Sequence, residues 1–245
     1  MEALLTGLIS ALTSVAVVLV SFFLTSRHDN KKAALAERQE LNARYLNPLR
    51  LQLAENRFRL AEILARVNES GTCADLLTVD EPTDISARDP GWFTGWGAYL
   101  ASSAYLTACL FAWLKKTRDS APYLRLDGED DTRLSILMLR VSHSFLRGQG
   151  IYYVLQPSIG QDMIRPGEDR LLSYREFCDL LLAPERRVWL DRLTGYYLET
   201  GRGQKLDRIA DAITAIDALS AFLDDVTGGG QSVKSRLAAE GIASL

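Results

Sequence analysis

Catalysis needs groups that ionise, coordinate or attack near neutral pH, and this sequence holds few of them. It has two histidines, His28 and His143, and three cysteines, Cys73, Cys109 and Cys178. A di-iron helical site pairs a histidine with a glutamate three residues before it; three residues before His143 stands Arg140. The HExxH arrangement, which sets two imidazoles and a base on one helix face, is absent too. General-base work by His143 needs a nucleophile and an orienting acid beside it, and the sequence places neither. A lone helical histidine therefore reads as structural. The cysteines are too few and too scattered for a disulfide framework or a zinc site. Cys109 and Cys178 read as small buried hydrophobes. Cys73 reads as a loop thiol open to reaction, with no neighbour that activates it.

Charged and glycine-rich stretches give equally plain readings. Asp127, Glu129, Asp130 and Asp131 lack the alternation and the glycine of a calcium loop. They read as turn and helix-cap residues whose charge favours a helix N-terminus, a weak cation site being the minor alternative. The run Thr227-Gly-Gly-Gly-Gln-Ser-Val-Lys-Ser235 has the outline of a phosphate loop. It fails because Val233 stands where glycine must precede the lysine, and a helix rather than a strand comes before it. Arg202 and Lys205 precede a helix N-terminus, where anions bind, but an interhelical turn accounts for them. No catalytic residue, metal or cofactor is expected, and the chain leans away from being an enzyme.

Two aromatic-rich stretches remain as a candidate partner or ligand patch. The first holds Trp92, Phe93 and Trp96 at a loop–helix junction; the second mixes Tyr152, Tyr153, Gln156, Gln161 and Asp162 with helix breakers. Large rings beside irregular backbone suit contact with a partner. The competing reading is that they wrap the ends of the core.

The elements that must carry these residues read as helices. Apolar residues make up 47% of the 245 and charged residues 24%, which excludes a disordered chain. A net charge of −3 gives no basic field, so no nucleic-acid partner is expected. Residues 27–47 are rich in strong helix formers and read as a stalk, interrupted at Asn47-Pro48. Residues 48–226 read as an α-helical bundle. Its first helix carries the stripe Leu49, Leu53, Leu60, Leu64 and Val67, and 68–91 form a long polar loop. The uncharged run Gly91–Leu114 reads as a central core helix, a second membrane span being the alternative. Asp130, Asp131 and Thr132 offer caps for a helix to about Arg147, and Ser173-x-x-Glu176 is a capping box. A helix from Pro184 to about Glu199 turns Val188, Trp189, Leu193, Tyr196 and Tyr197 inward. The clearest amphipathic stripe runs from Leu206 to Val226. Residues 227–245 form a glycine-rich linker and a short final helix. No period-two strand pattern stands out, so the fold class is all-α.

The first 26 residues decide where the bundle sits. Ala3 to Ser26 carries no charge, and as a helix it spans about 36 Å, enough to cross a hydrocarbon core of about 30 Å. A cleaved signal would need a basic start and a shorter apolar run. Residues 1–26 therefore read as a transmembrane anchor with the lipid bilayer as its partner. Arg27, Lys31, Lys32 and Arg38 follow it, which sets the N-terminus outside and the body in the cytoplasm, at a single-pass inner (plasma) membrane. Thr6, Ser10 and Ser14 share one face of the anchor, a candidate surface for homo-oligomer packing. The expected function is a membrane-anchored interaction module, an adaptor, signalling or defence component that binds protein partners. The alternatives are an enzyme with an unrecognised helical site acting on a lipid or nucleotide, and an oligomeric membrane assembly or small pore.

Overall fold

A computed structural model of the chain describes residues 25–29, 32–33, 36–37, 39–73, 76–77, 85–124, 126, 129–168 and 170–227. The expected anchor, apart from its last two residues, lies outside these, as do the Thr6/Ser10/Ser14 face and the final helix. Among the described residues, no helix is long and apolar enough to cross a membrane. Secondary structure there is helical throughout, with one isolated antiparallel bridge between Ile164 and Leu171. The chain divides into two compact units, Met1–Ala43 and Arg44–Leu245. In the first, the described residues of the expected stalk are helical.

The second unit is a bundle of helices. A π-helical turn, Asn42–Leu46, runs directly into α1 (Asn47–Ala65), and Pro48 falls in the first turn of α1. Two 3-10 turns, Ile85–Ala87 and Pro90–Thr94, lead into α2 (Ala98–Leu124). There follow α3 (Asp130–Leu146), α4 (Leu155–Asp162), α5 (Tyr174–Leu182), α6 (Pro184–Arg187), α7 (Asp191–Gly201) and α8 (Asp207–Val226).

Helix α2 is the centre of the bundle and packs against α1, α3, α4, α5 and α7, while α8 closes the outside against α1 and α3. The uncharged run explains the placement: Leu100, Ala104, Ala108, Leu110, Phe111 and Ala112 are all buried. Small residues let neighbours come close. Gly160 of α4 lies so near the Phe111–Ala112 backbone that a Cβ there would sit 2.7 Å from the Phe111 carbonyl. Phe111 meets Phe145 edge to face at 5.3 Å, and Tyr196 meets Tyr197 at 5.3 Å. The interior also holds one polar seam. Thr107 bonds the Tyr197 hydroxyl at 2.6 Å and donates to Asn56 at 3.1 Å, and Asn56 donates to the carbonyls of Gln52 and Leu106. With partners on every side, these groups can be buried without large cost.

Several local expectations are corrected. The buried stripe of α1 is Leu49, Leu53, Asn56, Leu60 and Ile63; Val67 falls beyond the helix end at Ala65. The expected helix from Pro184 to Glu199 is broken. The Leu190 N–H donates to the Arg187 carbonyl at 2.6 Å, a tight turn that rotates the register. Leu190, Leu193, Tyr196 and Tyr197 then take the buried face, and Val188 and Trp189 point outward, 57% and 54% exposed. At α3 the cap position is Glu129, with no side-chain cap; Asp131 instead accepts from the Leu126 N–H at 3.2 Å.

Candidate functional site

The junction before α2 is set by short-range chemistry. The Asp89 carboxylate accepts from the Gly91 N–H at 2.7 Å and caps the Pro90–Thr94 turn, with proline at its start. This turn sends three neighbouring rings to three environments. Phe93 enters the core. Trp92 lies edge to face with it at 5.2 Å, half-buried, with the Arg88 guanidinium 5.4 Å from its ring. Position 97 must be glycine, because a Cβ there would lie 2.1 Å from the Trp92 ring. Trp96, between Gly95 and Gly97, is 83% exposed.

Trp96 stands on the rim of an open groove of about 550 Å³, lined by Leu76, Gly95, Trp96, Ala98, Tyr99, Ser102 and Tyr174. Tyr174 is the first residue of α5, which opens on a complete capping box. Ser173 Oγ accepts from the Glu176 N–H, and the Glu176 carboxylate accepts from the Ser173 N–H at 2.7 Å. Those bonds to Ser173, with Arg170 adding to them, hold the Glu176 carboxyl below its usual range. The Tyr174 hydroxyl donates to the Phe93 carbonyl at 2.8 Å and so ties α5 to the junction. On the opposite wall the Tyr99 hydroxyl donates to Glu62 at 2.5 Å, and the Arg59 guanidinium stacks 4.0 Å from the Tyr99 ring. Arg59 also donates to Ser102 Oγ at 2.9 Å.

Burial pushes both phenols, Tyr99 and Tyr174, up from the ordinary tyrosine range, so at neutral pH they are uncharged donors. Ser102 donates to the Tyr99 carbonyl at 3.2 Å and accepts from Arg59, and neither partner is a base that could activate it. The groove is thus open and its three lining hydroxyls, of Tyr99, Ser102 and Tyr174, are each engaged within the fold.

The second aromatic stretch forms a separate face, since the groove is lined by none of residues 152–162. Tyr152 and Tyr153 are exposed, with the Arg192 and Arg118 guanidiniums 5.8 and 5.6 Å from their rings. Gln156 is buried and structural, donating to the carbonyls of Ser142 and Ile151. Gln161 and Asp162 are exposed, and partial desolvation raises the Asp162 carboxyl against the pull of Arg186.

None of the other candidate groups lines the groove. Cys73, expected to be an accessible loop thiol, is buried and its Sγ lies 3.3 Å from the Thr200 carbonyl. The Cys73 chain folds back onto the end of α7, with its N–H donating to the Gly201 carbonyl. Burial raises all three thiols, Cys109 to about 12, away from the thiolate a nucleophile needs. His143 is exposed on α3. Among the described residues, no group of three or more His, Cys, Asp or Glu could hold a metal ion.

Sequence reasoning missed Leu76, Tyr99, Ser102 and Tyr174 as groove residues, and Arg59 and Glu62 behind them. They come from four separated segments, so no local spacing marks them. The one available signal was the capping box at Ser173, which fixes where Tyr174 starts its helix.

Compared with known proteins, no family model matches the chain, and no solved structure matches it. A protein of Latilactobacillus sakei subsp. sakei (strain 23K), provisionally named an agmatine deiminase, is 25% identical over 204 residues. The match covers 82% of this chain and 50% of that protein, so the chain spans about half the length of the curated relative it matches.

Proposed function

We propose that the chain is a membrane-anchored interaction module. Residues 3–26 tether it to the inner (plasma) membrane with the N-terminus outside, and the cytoplasmic helical body docks a protein partner in the groove beside Trp96. The observation that carries this reading is the exposure of Trp96 at 83%, on the rim of a groove whose tyrosines are already held by hydrogen bonds. Tryptophan and tyrosine dominate the buried centres of protein interfaces. A groove whose walls are fixed in advance spends little ordering entropy on binding. Tethering adds effective concentration without adding any contact.

The test is a pair of cross-linked pull-downs from native membranes, with the full chain and its Trp96→Ala variant as baits. The reading expects discrete proteins enriched on the first and lost on the second. Identical recovery, or background alone on both, overturns it. Carbonate extraction tests the tether in parallel: the full chain stays in the pellet if residues 3–26 span the bilayer.

A second reading, deimination of agmatine, is supported by the Latilactobacillus similarity alone. Hydrolysing a guanidino carbon–nitrogen bond needs an activated nucleophile or water, and the buried, raised thiols do not supply one. Ammonia release from agmatine above a no-protein control is the outcome that would support it.

A further inference from the structure

Helix α1 has two apolar seams, and the core uses only one. The inner seam, Leu49 to Ile63, is buried. The outer seam is Leu51, Ala54, Phe58, Ala61 and Ala65, spaced alternately by three and four residues. Leu51 is 56% exposed and Phe58 42%; Ala54 and Ala61 are partly exposed and Ala65 is exposed. This is the spacing by which two helices interlock side by side.

The charges along the outer seam name its occupant. Arg50 and Arg57 flank one edge, one residue before Leu51 and Phe58; Glu55 and Glu62 flank the other, one residue after Ala54 and Ala61. In a parallel pair, the residue on the first edge reaches the residue five further on in the second helix. Two copies of this helix would therefore set Arg50 against Glu55 and Arg57 against Glu62, on both sides of the seam. An antiparallel pair would set arginine against arginine and glutamate against glutamate. The same side chains also have partners within the bundle, Arg50 with Asp224, Arg57 with Asp217 at 2.7 Å and Glu62 with Tyr99, so contacts between copies share these groups.

We infer that the outer seam of α1 is a self-association surface, on which a second copy of this chain packs in parallel through Leu51 and Phe58. The seam covers fewer than three heptads, so the pairing is weak in dilute solution. It strengthens where copies share one bilayer with their N-termini on the same side, as the proposed anchor requires. The direction follows from the charge pattern alone. Failure of the groove to dock a partner would leave this inference untouched, and the reverse holds as well.

Oxidative cross-linking of the full chain in native membranes tests it. Single variants Leu51→Cys and Phe58→Cys are treated with copper phenanthroline, beside the wild type and a control, Ile136→Cys, which is 48% exposed on α3. Circular dichroism confirms that each variant keeps its helicity. The expected result is covalent dimer at 51 and at 58, at least about tenfold above the control and the wild type, as confinement of paired seams predicts. When the two variants are co-expressed, the mixed 51–58 dimer stays at the control level. Dimer no greater than the control, adducts to other proteins alone, or a mixed dimer exceeding the two self-dimers would overturn the inference.

Discussion

Around the middle of α2, Phe111, Phe145, Tyr196 and Tyr197 meet in a chain of ring contacts, edge to face at both ends and tilted between Phe145 and Tyr196, with every ring buried. At its N-terminal end, Trp96, Tyr99 and Tyr174 line an open groove, with Trp92 and Phe93 just before them in the chain, and Trp96 is left exposed. Neighbours make the difference. In the middle, α3 and α7 cover the rings from two sides, and the phenol of Tyr197 finds Thr107. At the end, the Pro90–Thr94 turn and two glycines bring the chain in at an angle that buries Phe93 and half-buries Trp92, while Trp96 is 83% exposed. One aromatic cluster is enclosed by the fold; the other lines an open groove, where we propose that a partner docks.

If that division is right, the largest effect comes from the buried cluster. Phe145→Ala should lower stability by about 3–5 kcal/mol, the usual cost of emptying a buried aromatic site, read as the shift in urea unfolding. Thr107→Val keeps the shape but leaves Asn56 Oδ1 and the Tyr197 hydroxyl without their bonds to Thr107, and should cost about 1–3 kcal/mol. A cost near zero for either would mean that the interior is looser than its geometry.

The buried phenols also predict a pH response. Burial pushes Tyr197 up to about 12, whereas an unfolded tyrosine ionises near pH 10. The folded state therefore holds this proton more tightly than the unfolded one. Its contribution is complete below about pH 10 and is lost as pH rises through the folded value. Denaturation midpoints should fall between about pH 10 and 12, and Tyr197→Phe should flatten that fall. The smallest stability effect belongs to the open end. Trp96→Ala should change unfolding by less than about 0.5 kcal/mol, as exposed positions do, while abolishing partner recovery. A large stability loss there would make Trp96 structural and erase the distinction between the two clusters.

Much of this architecture was legible because it is local. The α8 stripe, the capping box at Ser173 and the uncharged run are all short-range patterns; the first two form where their patterns stand, while the run expected as a helix over Gly91–Leu114 begins as the Pro90–Thr94 turn and its helix runs Ala98–Leu124. What escaped was set by tertiary contact. Periodicity alone put Val188 and Trp189 inside, but a single tight turn before Leu190 reversed them. Cys73 looked like an open loop thiol until the chain folded it under Thr200 and Gly201. Adjacent aromatics at 92, 93 and 96 formed a reasonable patch on paper, yet the partners of Trp96 in the groove, Leu76 and Tyr174, are distant in sequence. The outer seam of α1 was hidden for a different reason. Two interleaved apolar stripes share one helix, and only burial shows which the core has taken.

The most direct test of the docking groove is a photo-activatable phenylalanine analogue at position 96 of the full chain, irradiated in native membranes. A second chain carries the analogue at Thr214, on the exposed face of α8. The account predicts a discrete adduct from position 96, retained in carbonate-washed membranes, with none from 214. Equal labelling from both positions, or no adduct from 96, would contradict it.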